Sequence, residues 1–248
     1  MAERADWQRL ARMLSWTTAI SFFVAALIVV LLQLGVTGPE EPTRRIPDLV
    51  DSILQFFRDE SAAWPQDLAS RILFMVGFVG VIGLGLVVRR FVGRDDPRAT
   101  VVAGSFSLAG GLGIVAELVT IGVKQAAIDP TYCQCKYAPE QVISRWQTLG
   151  QVETAEEWLF YGGFLLWAVG IFVLSRLAIQ RALFPRGWGY LGYLIAALFI
   201  LGIVSAAFDL ELVFNVTVAV GAGVLIPIWV VWLARNLRPR VPAQPPIP

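Results

Sequence analysis

No histidine occurs among the 248 residues. His-ligated haem, the commonest zinc and copper sites, di-iron carboxylate–histidine sites and histidine acid–base catalysis all lose their usual ligand or base. Only two cysteines are present, and charged residues make up 16% of the chain, against about 25% in a soluble domain. The formal net charge is +1, so the broad basic surface of a nucleic-acid binder is missing. No nucleotide motif, metal set or catalytic constellation is legible. No cofactor and no enzymatic activity are therefore expected.

What fills the chain is apolar sequence: 56% of residues are hydrophobic and the mean hydropathy is +0.65. The excess falls in six blocks, 14–34, 72–88, 101–123, 158–174, 188–208 and 212–234. Each approaches the roughly 20 residues a spanning helix needs. The expected fold is all-α, a polytopic membrane bundle of six transmembrane helices with an outer amphipathic helix. Residues 1–13 form a short N-terminal segment, 14–236 the transmembrane domain and 237–248 a Pro-rich tail. The first block is too long for the core of a secretory signal, and "GVTGPEEP" offers no small-residue cleavage site.

Direction follows from Lys and Arg in the connections. With the N-terminus in the cytoplasm, the inner side receives Arg4, Arg9, Arg12, Arg89, Arg90, Arg94, Arg98, Arg176, Arg181, Arg186, Arg235, Arg238 and Arg240, thirteen of the 20 basic residues. The seven others (Arg44, Arg45, Arg58, Arg71, Lys124, Lys136, Arg145) fall outside. Most acids lie outside too, as a solvated face mirroring the positive-inside pattern would. The expected location is a cell's inner (plasma) membrane, multi-pass, with both termini cytoplasmic.

In the first outer loop, "IPDLVDSILQFFRDE" spaces Ile46, Leu49, Val50, Ile53, Leu54, Phe56 and Phe57 as one face of an amphipathic helix. It is expected on the membrane surface or capping the bundle. The second outer loop carries Cys133 and Cys135 in "TYCQCKY". These could staple the loop as a strained Cys-x-Cys disulfide, bind a soft metal, pair with another chain or act in redox chemistry.

Small residues recur where helices pack closely in lipid. They are Gly77, Gly80, Gly83 and Gly85 in the second span, Ala103, Ser107 and Gly111 in the third, and Gly221 and Gly223 in the sixth. Spans two, three and six are expected at the tight centre, with a kink at Pro227. Trp16, Trp158, Trp188, Trp229, Trp232 and Tyr190 lie near span ends, as interface anchors do.

One residue does not fit a lipid environment. Glu117 lies within "GGLGIVAELVTIGVKQ", and Gly113, Glu117, Thr120 and Lys124 share one helix face. A carboxylate inside a span must be neutral, paired or hydrated. The candidate ligand or proton site is Glu117 with Thr120, Lys124, Tyr161 and Asn215. Glu156, Glu157, Asp209 and Glu211 form an acidic outer mouth. Either Glu117 is hydrogen-bonded glue between helices, or it binds protons or substrate. Coupled transporters usually show several such residues and repeated halves with broken helices, and no internal repeat is evident.

"GLGIVAEL" and "FPRGWGYLG" carry a resemblance. The chain resembles a family of bacterial six-helix membrane proteins known only as a domain of unknown function, over most of its length and best from helix three to helix six. The resemblance implies a Gly-containing third helix with a glutamate at Glu117, a Pro185-Arg186 step into the fifth helix and a glycine at Gly192. Members often have an arginine three residues before the glutamate; here Ile114 occupies that position.

Three functions follow as expectations. The first is an accessory or assembly subunit with a partner membrane subunit, or a binder of lipid or a hydrophobic ligand. The second is a proton- or cation-coupled transporter or channel using Glu117. The third is a membrane thiol oxidoreductase using Cys133 and Cys135.

Overall fold

A computed structural model of the chain describes residues 2–35, 46–127, 139–208 and 210–236, and these are helical apart from short turns. The helices are α1 (Ala2–Gly35), α2 (Ile46–Val92), α3 (Pro97–Ala127), α4 (Pro139–Gln180), α5 (Arg186–Ala207), α6 (Glu211–Val218) and α7 (Ile226–Asn236). A π-helical stretch, Ala219–Leu225, joins α6 to α7. Together these make six stretches long and apolar enough to cross a membrane. Ile20, Phe23, Leu31, Leu108, Leu194 and Ile228 are among the many large apolar side chains left exposed on them. A water-soluble protein rarely shows so extensive an apolar surface, whereas lipid requires it. The chain is built as a multi-pass membrane protein.

The helices pack in chain order and close into a ring, the α7 and π segments returning against α1. The middle of the ring is filled by one aromatic side chain from each of four helices. Phe22 lies 5.3 Å from Phe78 and 5.4 Å from Trp167, which lies 5.4 Å from Phe199 (ring centroids). All four are buried.

Two turns at one end set the register. Gly93 ends α2 at φ +129°, a conformation that L side chains rarely adopt. Asp96 then opens α3, its carboxylate accepting the Arg98 backbone N–H at 2.9 Å, with Pro97 in the first helical position. That bond and the neighbouring Arg181 and Arg98 charges hold the Asp96 carboxyl below the ordinary aspartate range. Arg181 pairs with Asp96 and Arg98 donates to Gln180, which ties the α2–α3 turn to the α4–α5 turn.

The amphipathic stretch beginning at Ile46 is helical, as its spacing predicts, but it is not a separate surface element. It is the beginning of α2, a continuous helix of 47 residues that runs through Pro65. At 1.5 Å per residue α2 is about 70 Å long, more than twice the ~30 Å hydrocarbon core. α4, 42 residues long, likewise runs well beyond the apolar block near its end. The excess of both helices packs together with the end of α3 into a second apolar core. Ile53, Phe57, Val142 and Leu149 are its buried members, and Trp146 packs edge-on to Phe56 at 4.8 Å.

Close packing differs from expectation in two respects. The sixth span lies against α1 and α5, so the centre of the α2–α3–α4 layer is α3. On α3, Gly110 and Gly113 make the close approaches, to Phe78 and Ile82, whereas Gly111 faces open space. The π-helical turn precedes Pro227. Proline lacks an N–H and crowds the carbonyl one turn earlier, and a widened turn relieves both problems.

Candidate functional site

The two apolar cores are separated by a layer of charge. On α2, Glu60, Asp67 and Arg71 lie around Trp64 and before Phe74; on α3, Glu117 and Lys124 follow Ile114; on α4, Glu153 and Glu156 lie between Leu149 and Phe160. Arg71 is at the centre. Its Nη1 donates to Glu117 Oε2 at 3.0 Å and to Glu156 Oε1 at 3.1 Å, and its Nε donates to Asp67 Oδ2 at 3.0 Å. Lys124 Nζ continues the network, 3.4 Å from Glu60 Oε2 and 3.6 Å from Asp67 Oδ2. One arginine thus ties together carboxylates from three helices, a task suited to its planar, multi-donor guanidinium.

Glu117 is 3% exposed, and Gly113 and Thr120 on its face are buried as well. The face deduced from helical spacing is therefore the inward one. Its partner is a residue that sequence reasoning placed only as the outer boundary of the second span. Depth would have found it. Arg71 lies 18 residues before Arg89, and Glu117 lies 19 residues after Arg98, across one tight turn. Both positions are about 27–29 Å from that turn, at the far edge of the hydrocarbon core rather than its middle. The ion pair that Ile114 cannot make within α3 is made between α2 and α3.

The other candidates fall into separate places. Thr120 Oγ1 donates to the Ala116 carbonyl at 3.1 Å, one turn back on its own helix. Lys124 joins the network through Glu60 and Asp67, not through Glu117. Tyr161 hydrogen-bonds to Glu157 and packs edge-on to Phe214 at 5.5 Å. Asn215 is exposed. Of the acids assigned to an outer mouth, Glu156 is part of the network and Glu157 is exposed beside Tyr161. Asp209 and the Glu211 side chain lie outside the described residues, as do Cys133 and Cys135. Among the described residues no group of three or more acids or cysteines is arranged to hold a metal ion.

At the opposite end of the bundle, Trp188 on α5 and Trp229 on α7 stack at 4.4 Å and 15°. Each indole N–H donates to the other residue's backbone carbonyl, at 2.9 and 3.2 Å. With exposures of 0% and 1%, they are core residues, not interface anchors. Trp158 at 70% and Tyr190 at 61% are exposed, as anchors must be. Gly192 makes this clasp fit: a Cβ there would lie 2.0 Å from Ser175 Oγ and 3.0 Å from Trp229 Nε1.

No protein-family model, curated protein or solved structure matches this chain.

Proposed function

We propose that this protein is a non-enzymatic accessory or assembly component of a bacterial inner membrane, with both termini in the cytoplasm. The observation that carries this reading is the packed centre: Phe22, Phe78, Trp167 and Phe199 fill the axis of the ring. Beyond them, in the charge layer, Glu117 is paired with Arg71. A charge layer of this kind acts as glue, locking α2, α3 and α4 in register. It continues the bundle into a stiff helical projection on which a partner subunit can seat. The positive-inside distribution supports the orientation, and the likeness to a six-helix bacterial family belongs to the same proposal. Proteoliposomes containing the protein are expected to show no proton or cation flux above protein-free vesicles. Flux that disappears with Glu117→Gln would overturn the reading. A C-terminal fluorescent fusion that matures only in the cytoplasm tests the orientation.

One observation favours a proton- or cation-coupled carrier as the second reading. Among the described residues of the layer, five acids (Glu60, Asp67, Glu117, Glu153, Glu156) face two cations, Arg71 and Lys124. Side-chain exposure rises from 4% at Glu117 through 12% at Glu156 to 19% at Asp67. A surplus of acid graded toward solvent suits stepwise proton transfer, and the same flux measurement decides for it.

A further inference from the structure

A groove of about 680 Å³ runs between α4 and α5 on the lipid-facing flank. Phe172, Tyr193, Ala197, Ile200 and Val204 are among its lining residues. The volume lies within the range of small-molecule sites, and apart from the Tyr193 hydroxyl these walls are hydrocarbon. Phe172 and Tyr193 meet at 5.2 Å across one end. From Tyr193 to Val204 the groove extends about 16 Å along the helix axis, roughly half of the ~30 Å hydrocarbon core. It therefore covers the depth of one leaflet.

The two helix stripes that wall the groove both run into arginine at the same end. On α4, Arg176 follows Phe172 by one turn; on α5, Arg186 precedes Tyr193 by two turns, with exposed Tyr190 between them. Both arginines are exposed, and neither has a carboxylate partner among the described residues. They stand about 6–10 Å beyond the Phe172–Tyr193 pair, on side chains long enough to reach the headgroup level. The nearby turn adds Arg98 and Arg181 against Asp96, so this end of the groove is positive.

We infer that the groove holds an acyl chain of an anionic phospholipid whose headgroup phosphate is bound by Arg176 and Arg186. An anionic lipid is favoured over a zwitterionic one because it brings no ammonium to be repelled by the guanidinium groups. This inference goes beyond the accessory role and does not depend on it.

The test is native mass spectrometry of the purified full chain titrated with phosphatidylglycerol, with phosphatidylcholine and with soluble glycerophosphoglycerol. Attraction of an anionic lipid to a basic side chain at the surface amounts to about fivefold per residue. Phosphatidylglycerol should therefore be retained at least about tenfold better than phosphatidylcholine, and the headgroup alone should not be retained. Arg176→Gln, a change at an exposed position, should reduce the preference about fivefold. Ala197→Phe, which fills the groove, should weaken both lipids. The near-ultraviolet signal of the Trp188–Trp229 pair reports whether each variant is folded. Equal retention of the two lipids, a preference unchanged by Arg176→Gln, or retention of the headgroup as strong as that of the lipid would each overturn the proposal.

Discussion

Around Arg71, carboxylates from three helices are drawn to one guanidinium, in a layer where acids outnumber bases. Around Trp188 and Trp229, two neutral indoles satisfy one another's backbone carbonyls and need nothing else. Both regions are buried joints between different helices, but they respond differently to damage. A charge layer depends on its cations, because removing one leaves carboxylates buried with no counter-charge. A neutral clasp loses only its own bonds and packing.

The comparison is broken most forcefully at Arg71. Arg71→Leu leaves Glu117 and Glu156 facing one another and should cost about 3–5 kcal/mol, read as a loss of unfolding stability in detergent micelles. Arg71→Leu combined with Glu117→Leu should recover much of that loss, which separates an unpaired charge from lost packing. Lys124→Met removes a cation as buried as Arg71 but held through longer contacts, 3.4 and 3.6 Å against 3.0–3.1 Å, and should cost about 1–3 kcal/mol, less than Arg71→Leu. A loss at Lys124 as large as that at Arg71 would mean that the network is uniform rather than centred on the arginine. In the clasp, Trp229→Phe removes one N–H donor and part of the stacked ring, while the Trp188 carbonyl remains within the α5 ladder. A loss of about 1–2 kcal/mol is expected, together with loss of the near-ultraviolet signal of the stacked pair. Gly192→Ala drives a methyl group into Ser175 Oγ and should cost about 1–2 kcal/mol, as overpacking does. Adding Ser175→Ala should restore part of it, as thermal unfolding would show.

Much of this architecture is legible in the sequence. The six apolar blocks correspond to six helices, and the 3.6-residue period placed Gly113, Glu117, Thr120 and Lys124 on one face. Ile53 and Phe57, four residues apart, are buried as their spacing requires. The partner of Glu117 was less visible because Arg71 resembles an ordinary boundary charge. Nothing in a single helix shows that an antiparallel neighbour brings a carboxylate to the same depth. The continuity of α2 was also hidden. Pro65 and the charges around it read as the end of a span, while the packing of α2 on α4 in the second core keeps the helix going.

By itself, the sequence determined the number of membrane-length apolar stretches, the exclusion of histidine chemistry and the inward face of α3. Each depends on composition or on the period of one helix. Only the tertiary structure decided that Arg71 answers Glu117, that Gly110 rather than Gly111 makes the close approach, and that Trp188 and Trp229 are core while Trp158 is exposed. The physical reason is the solvent. In a bilayer the face toward lipid and the face toward a neighbouring helix are both apolar. Hydrophobic periodicity, which separates inside from outside in water, therefore cannot distinguish a tryptophan that anchors a span from one that holds two helices together.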